Sequence, residues 1–511
     1  MLAQNVITIT NTAGACDKLY QVYEILNCEV IEIMKKLKHV CLILILLLSV
    51  GQSEAVTKYA FLSGLLNARG IDWSSSPEAE YDDPGGFMLR TGYVTDDVDN
   101  MDAPVTRLEA LRWCIESFGL TFEAELLSDY PSGFTDEGTL TTFERGCLVV
   151  AVNMSPSLFD RTGIFDGKKQ LSNAEYTSLM SRVYQASANF SLNMIRNPLK
   201  GIRVFIHREG VPSGIPSWRV YAYGLNRDMA NSIKGILRTN GIESATIGSG
   251  SGIRTGKIED FNQVRRFIAF MNFRNIKYRL LPVMTNPKTR IVPRFWVMIT
   301  VDPSYWKMLP VASNNGPNEL SPLSRIVAHS GAGAAINAGF FAVQKGGKGY
   351  PIGAMKVRGN DFGELYMGRA CLGWNDNDEA IFGVVDEDNY SPYYMPYVIQ
   401  AGPMLISGGL PAHSEEDFPS AFVSARHPRS AVGLTQDGLW VFMIVDGRNG
   451  MHSSGATIGE LTEILRSQRI IYAMNLDGGG STELIVDGRI YNMPSDGYER
   501  NVSYGLGAIA R

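Results

Sequence analysis

The chain is short of several residues and patterns that would announce a chemistry. Histidine occurs only 6 times in 511 residues and never in an HExxH or other paired-ligand pattern, so a zinc site is not expected. No G-x-S-x-G elbow occurs, and Ser481 follows glycines without the later glycine, which argues against a serine hydrolase. Cysteine is scarce and has no CxxC spacing, which removes the usual redox signature. Beyond position 55 only Cys114, Cys147 and Cys371 remain. Of these, Cys114 and Cys147 are candidates for a disulfide, with buried free thiols as the alternative. Charge is sparse too: 19% of residues, with Lys+Arg 47 against Asp+Glu 52 and a net charge of -5. That mild acidity argues against a nucleic-acid binder, which needs a basic face, and leaves room for a local basic pocket that takes an anion. No apolar run is long enough for a comfortable membrane span.

What is there begins at Met34. Lys35, Lys36 and Lys38 precede the short apolar run "VCLILILLLSV", and small residues follow at Ser53 and Ala55. This is the layout of a secretory signal peptide over 34–55. It implies a protein secreted to the periplasm or cell surface, with no stable span after cleavage. Cys41 lies inside the apolar run, which does not suit a lipoprotein site. Residues 1–33 precede a natural leader start and read as a non-native extension.

The remaining length exceeds one core, so several domains are expected, in an α+β multidomain arrangement. Residues 56–190 hold a degenerate repeat: "VTKYAFLSGLLNARGI", "VTRLEALRWCIESFGL" and "LSNAEYTSLMSRVYQA". In the second copy Leu108, Leu111, Ile115 and Phe118 fall on one helical face. Thr106 and Glu109 form a capping box. Turn-rich stretches, "YDDPGGF" and "DYPSGFTDEG", separate the copies, so stacked helical units sharing a core are expected. "TRLEAL", "YDDPGG" and "FTDEG" resemble S-layer homology repeats, which implies attachment to a cell-wall polymer. Only one copy keeps Thr and Arg together, at Thr106 and Arg107.

Residues 200–285 read as strand, helix, two strands, helix, strand. "WRVYAYG" is followed by a helix that closes at Gly241, and "KYRLLPV" is the last strand. The order is that of a ferredoxin-like βαββαβ module. It resembles the sporulation-related repeat, a peptidoglycan-binding module, with Ala230 in the first helix. Arg219, Arg254 and Arg265 are its candidate contacts to an anionic glycan.

From 293 to 511 the pattern is strand-rich and glycine-rich, a mixed α/β sheet domain. Helices are expected in "LSPLSRIVAHSG" and "TIGELTEILRSQ". Polar residues gather at the strand ends: Asn337 in "INAGFF", Arg429 in "HPRSAVG", Asp446 and Arg448 in "VDGR", Asp477 in "NLDGGGSTEL", and Arg500 in "ERNVSYGLG". Taken in order, these motifs and "AGPMLI" resemble the phosphodiester glycosidase family, whose members include N-acetylglucosamine-1-phosphodiester alpha-N-acetylglucosaminidase. Ala338 stands where the family usually has glycine.

The resemblance implies a hydrolase that cleaves a sugar-1-phosphodiester, GlcNAc-like, or a related phosphate-linked cell-wall or exopolysaccharide glycan, without a cofactor. Asp477, Asp446 and Glu483 are the candidate catalytic carboxylates. Successive N–H groups at Gly478, Gly479 and Gly480, with Ser481 and Thr482, are expected to form a nest for the phosphate. Arg429, Arg448 and Arg500 would add charge-assisted hydrogen bonds, and Asn337 would orient sugar hydroxyls or water. Two rival readings stand beside this. One is a metal-dependent phosphodiesterase holding Ca²⁺ or Mg²⁺ on Asp446, Asp477 and Asn475. The other is a non-catalytic wall-glycan-binding protein.

Overall fold

A computed structural model describes residues 55–73, 83–96, 98–161, 163–247, 251–285, 292–344, 346, 348–412 and 416–511. The expected extension over 1–33 and the leader over 34–55 lie outside the described residues, save Ala55. No helix among the described residues is long and apolar enough to cross a membrane.

The N-terminal region is helical, and its helices begin where polar caps are written into the sequence. Lys58–Ala68, Arg107–Ser117, Thr142–Asn153 and Asn173–Asn189 start after Thr57, Thr106, Thr141 and Ser172. The last three are closed by reciprocal capping boxes with Glu109, Glu144 and Glu175, each satisfying two otherwise orphaned donors. Leu111, Ile115 and Phe118 are fully buried, while Leu108 is half-buried. Arg107 is held inside the fold: its Nε donates to Glu175 at 2.9 Å and its Nη1 to the Phe165 carbonyl at 2.7 Å. Cys114, Cys147 and Cys371 are all buried free thiols, so the considered Cys114–Cys147 bridge is not formed. Burial pushes the Cys114 and Cys147 thiols up, which leaves them unreactive.

Nine antiparallel strands form the main sheet. In spatial order they are Met154–Ser155, Ser191–Leu199, Ile202–Glu209, Arg294–Val301, Trp440–Val445, Arg429–Thr435, Ile470–Asn475, Met404–Ser407 and Leu410–Pro411. The expected border at residue 200 therefore falls inside a hairpin. Ile202–Glu209 pairs along its whole length with Arg294–Val301, so the helical region hands two long strands to the sheet of the C-terminal domain. All six residues of Trp440–Val445 are fully buried, as a strand covered on both faces requires. A five-stranded sheet packs beside it, with Leu484–Val486, Ala334–Asn337 and Tyr504–Ala510 at its centre. The two expected helices are Leu323–Ser330 and Ile458–Ser467.

Residues 215–285 hold a four-stranded antiparallel sheet. Its order is Ser244–Ile247, Gly252–Thr255, Ile215–Tyr223, Lys277–Thr285. Helices Arg227–Thr239 and Phe261–Phe273 cross between the strands, so the elements follow the β-α-β-β-α-β order. Both helices lie on one face, where Val220, Ala222 and Ile253 are buried with Ile233 and Val264.

Candidate active site

The glycine run joins the two large sheets. Ile470–Asn475 belongs to the nine-stranded sheet and Leu484–Val486 to the five-stranded one, and Asp477 to Glu483 bridge the gap. Asn337, at the end of its strand, ties the bridge down at both ends. Its Nδ2 donates to the Asp477 carbonyl at 2.6 Å, and its Oδ1 accepts from Glu483 N at 3.1 Å and Ser430 Oγ at 2.7 Å. With its amide so engaged and its side chain 1% exposed, Asn337 holds the loop and does not reach out to a sugar or water as its expected role required.

The expected nest is largely closed, since the N–H groups of Gly478, Gly479 and Ser481 have acceptors within the fold. Gly478 N donates to Asp477 Oδ1 at 2.9 Å, Gly479 N to the Pro428 carbonyl at 2.9 Å, and Ser481 N to the Gly478 carbonyl at 3.2 Å. Those donors are spent inside the fold. The run is needed for another reason, the close approach of two guanidinium groups. A methyl at Gly480 would lie 2.1 Å from both Arg500 Nη2 and Asp496 Oδ2. At Gly479 it would lie 2.9 Å from Arg448 Nη2, on a backbone with φ of 64° that side chains rarely adopt. Gly480→Ala is therefore expected to lower turnover on the order of 10²-fold by displacing Arg500. The Tm should move little, because a flexible side chain can yield. A large Tm loss with normal activity in the folded fraction would count against this placement.

Asp496 is the centre of the charged cluster. It accepts from Arg500 at 2.9 Å (Nε) and 2.6 Å (Nη2) and from Arg279 Nη1 at 3.2 Å, and Arg448 Nη1 stands 4.0 Å away. Three guanidinium groups thus share one carboxylate. Mutual repulsion and burial depress Arg448, the burial contributing most. Arg448 itself adopts φ of 62°, a strained backbone for a branched-off side chain that the surrounding loop must enforce.

Asp477 stands beside this cluster. Burial pushes its carboxyl up to about 6, against the downward pull of the Ser481 hydroxyl, Arg500, the Gly478 N–H and Arg448. Ser481 also faces Arg500 Nη1 at 3.5 Å. Thr482 is buried, and its Oγ1 has no hydrogen-bond partner among the described residues.

The other expected site residues have different partners. Arg429 is 1% exposed and spends its guanidinium on the carbonyls of Ala456, Phe422 and Ala425, at 3.0, 2.6 and 3.1 Å. Among the described residues no carboxylate pairs with it. Burial and Arg448 lower it to about 10. Asp446 is buried, with Oδ2 2.9 Å from His452 Nε2 and accepting from Met493 N at 2.8 Å. Glu483 is buried against Glu499, which accepts from Ser324 N at 3.3 Å. Burial and the facing Glu499 carboxylate push Glu483 up to about 9. No hydrogen bond joins any two of Asp446, Asp477 and Glu483 among the described residues. Only Asp477 shares the arginine cluster. Of the oxygen set considered for a metal, Asp446 meets His452, while Asn475 donates Nδ2 to the carbonyls of Gly402 and Leu476 and its Oδ1 has no hydrogen-bond partner among the described residues.

Sequence reasoning missed Asp496 and Arg279. Asp496 sits in "SDGYER", where Asp-Gly reads as a turn, although its spacing of four from Arg500 was a usable pairing signal. Arg279 lies more than 200 residues from Asp496 in the chain, and no local pattern could connect them.

Residues 330–509 match the family model described as phosphodiester glycosidase. The SPbeta prophage-derived uncharacterized protein YomE of Bacillus subtilis (strain 168) is 43% identical over 135 residues, 26% of this chain and 21% of that protein. The N-acetylglucosamine-1-phosphodiester alpha-N-acetylglucosaminidase of Bos taurus is 28% identical over 190 residues, 34% of each chain. The chain thus spans about a third or less of these curated relatives. Among solved structures, the zebrafish N-acetylglucosamine-1-phosphodiester alpha-N-acetylglucosaminidase catalytic domain, auto-inhibited by its pro-peptide, aligns with a TM-score of 0.37 at 19% identity. That alignment covers 53% of this chain and 82% of that one.

Proposed function

We propose that this protein is a hydrolase that cleaves the sugar–oxygen bond of a sugar-1-phosphodiester, with a GlcNAc-like sugar or a related phosphate-linked glycan as substrate. The observation that carries the reading is the cluster of Arg279, Arg448 and Arg500 around the single carboxylate of Asp496, beside Asp477. The cations there outnumber the anions, which suits a phosphodiester monoanion. The family match over 330–509 supports the same chemistry.

Cleavage of the bond between the anomeric carbon and oxygen releases a phosphate monoester. That leaving group carries its own negative charge and departs without a proton donor, so a second catalytic carboxylate is not demanded. Arg448 and Arg500 would stabilise the charge that accumulates on it. Asp477, ionised above about pH 6, would attack the anomeric carbon or deprotonate the water that does. The hydroxyl of water ends on the sugar, and its proton passes to Asp477 or solvent. The leader expected over 34–55 would place the enzyme outside the cytoplasm. The helical region would keep it near the envelope glycan.

The test uses the methyl phosphodiester of α-GlcNAc-1-phosphate in isotopically labelled water, followed by NMR and mass spectrometry. Free sugar carrying the label supports the reading. Label in the phosphate, with sugar 1-phosphate as product, would show cleavage at phosphorus and favour a phosphodiesterase, with EDTA sensitivity then assessed. Glycan binding with no turnover of any phosphodiester would leave a binding protein.

A further inference from the structure

The small βαββαβ module is joined to the arginine cluster. Arg279, in its edge strand Lys277–Thr285, donates to Asp496 at 3.2 Å, and its Nε is buried without a hydrogen-bond partner. Loop and strand approach closely here. A methyl at Gly497 would lie 3.2 Å from the Tyr278 carbonyl, and Gly450 N donates to the Pro282 carbonyl at 3.1 Å. Between the edge strand and the Arg448 loop lies a cavity of about 350 Å³ lined by Leu281, Val283, Arg448 and Asn449.

The sheet of this module has one face without helices. Strand alternation puts Arg219, Tyr221 and Tyr223 there, because Trp218, Val220 and Ala222 are buried on the other side. Register adds Arg254 and Arg279 opposite Tyr221, and Lys277 opposite Tyr223. These six side chains are half-buried or exposed. Tyr221 and Tyr223 are 6.4 Å apart with an interplanar angle of 16°. The Arg279 guanidinium lies 4.4 Å from the Tyr221 ring centre, and Lys277 Nζ 5.1 Å from that of Tyr498 in the catalytic loop. No Asp or Glu occurs in any of the four strands. A face of tyrosines and cations whose own strands carry no acid, and whose Arg279 meets Asp496 at the anion site, matches a chain of sugar rings that bears phosphates. The rings lie on the aromatic surfaces and the phosphates meet the guanidinium and ammonium groups.

We propose that this face is the polymer subsite of the enzyme. It binds the aglycone side of a phosphate-bearing polysaccharide and delivers its phosphodiester to Arg448 and Arg500 beside Asp477, with Arg279 at the junction. Arg265 takes no part, since it sits on helix Phe261–Phe273, which covers the other face. The inference rests on the phosphodiester reading above, and its test is arranged to fail separately.

The probes are a phosphomannan and the same mannan without phosphate, titrated calorimetrically against the chain from residue 56 onward. Wild type should bind the phosphomannan, weaken with added salt, and prefer it clearly over the neutral mannan. The double variant R254E/K277E, remote from Asp496, should lose affinity by at least about tenfold, as expected for lost charge-assisted contacts. The variant Y223A should lose less. Thermal midpoints check that both fold. Undiminished binding by R254E/K277E, equal affinity for the neutral mannan, or tighter binding of single-stranded RNA would each overturn the inference. Turnover of the methyl phosphodiester is measured on the same preparations. Turnover with no face-dependent binding sinks the subsite alone. Face-dependent binding without turnover sinks the enzymatic reading alone.

Discussion

Asp477→Asn should abolish sugar release while making the folded chain more stable near pH 8. The rate loss is expected to be roughly 10²- to 10⁴-fold, the usual contribution of a positioned acid–base group. Both effects come from one observation. The Asp477 carboxyl sits at about 6 in the fold, against 3.8 ordinarily, chiefly because burial disfavours its charge. Between those two values the folded state holds a proton that the unfolded chain has already released. Stability therefore falls as pH rises from about 4 to 6, and the deficit persists above. Asparagine carries no such deficit. The side chain is partly exposed, so the gain is on the order of 1 kcal/mol. Thermal unfolding near pH 8 should show it, and unfolding near pH 4 should not. The wild-type rate should rise through about pH 6 as the carboxylate forms. An equal stability shift at both pH values, or a flat rate profile, would remove Asp477 from this role.

His452→Ala is expected to destabilise the protein by about 3–5 kcal/mol, the range for stripping one partner from a buried ion pair. His452 is 3% exposed and lies between two carboxylates, with Nε2 2.9 Å from Asp446 and Nδ1 3.2 Å from Glu123. Glu123 is fully buried and also meets Arg208 Nε at 3.0 Å. Although burial opposes it, the pull of Glu123 and Asp446 raises the imidazole to about 9. Removing the imidazolium leaves buried Asp446 without its cation and buried Glu123 with Arg208 alone. The pH dependence has the same sign as that of Asp477, because the folded state again holds the extra proton, but it falls in a higher window. A raised histidine contributes its stability in full below about 6.5 and loses it as pH climbs through about 9. Urea unfolding near pH 6 and near pH 9.5 should show the wild type weakening and His452→Ala changing much less. A cost below about 1 kcal/mol near pH 6 would mean that His452 is not the cation of this network. The network also links Thr121–Leu126 of the helical region to the end of strand Trp440–Val445, so the Arg448 loop is expected to loosen in the variant.

The local grammar of the chain was legible without a structure. Thr106 with Glu109 and Ser172 with Glu175 marked helix starts, because a side chain three residues on can satisfy an orphan donor whatever the tertiary context. Gly241, with φ of 71°, marked a helix end for a similarly local reason. The candidate loop was legible too, since three glycines between two apolar strands are costly unless something must approach closely. What approaches was misread. The glycines make room for Arg448 and Arg500, and the N–H groups of Gly478 and Gly479 are engaged inside the fold. Asp446, Arg429 and Asn337 fall at strand ends as expected, yet each is satisfied inside the fold by His452, by backbone carbonyls and by the glycine loop itself.

The sequence by itself determined the types of many elements and marked the glycine-rich segment that joins the two large sheets. These depend on spacing, capping and backbone freedom within a few residues. Only the tertiary structure decided which charges meet. Asp496 gathers arginines from strand Lys277–Thr285, from the loop at Arg448 and from four residues on in its own turn. Glu123 reaches His452 across more than 300 positions of chain. Charge pairing inside a fold depends on distance in space and on exclusion of water, and neither quantity is written in the order of the residues.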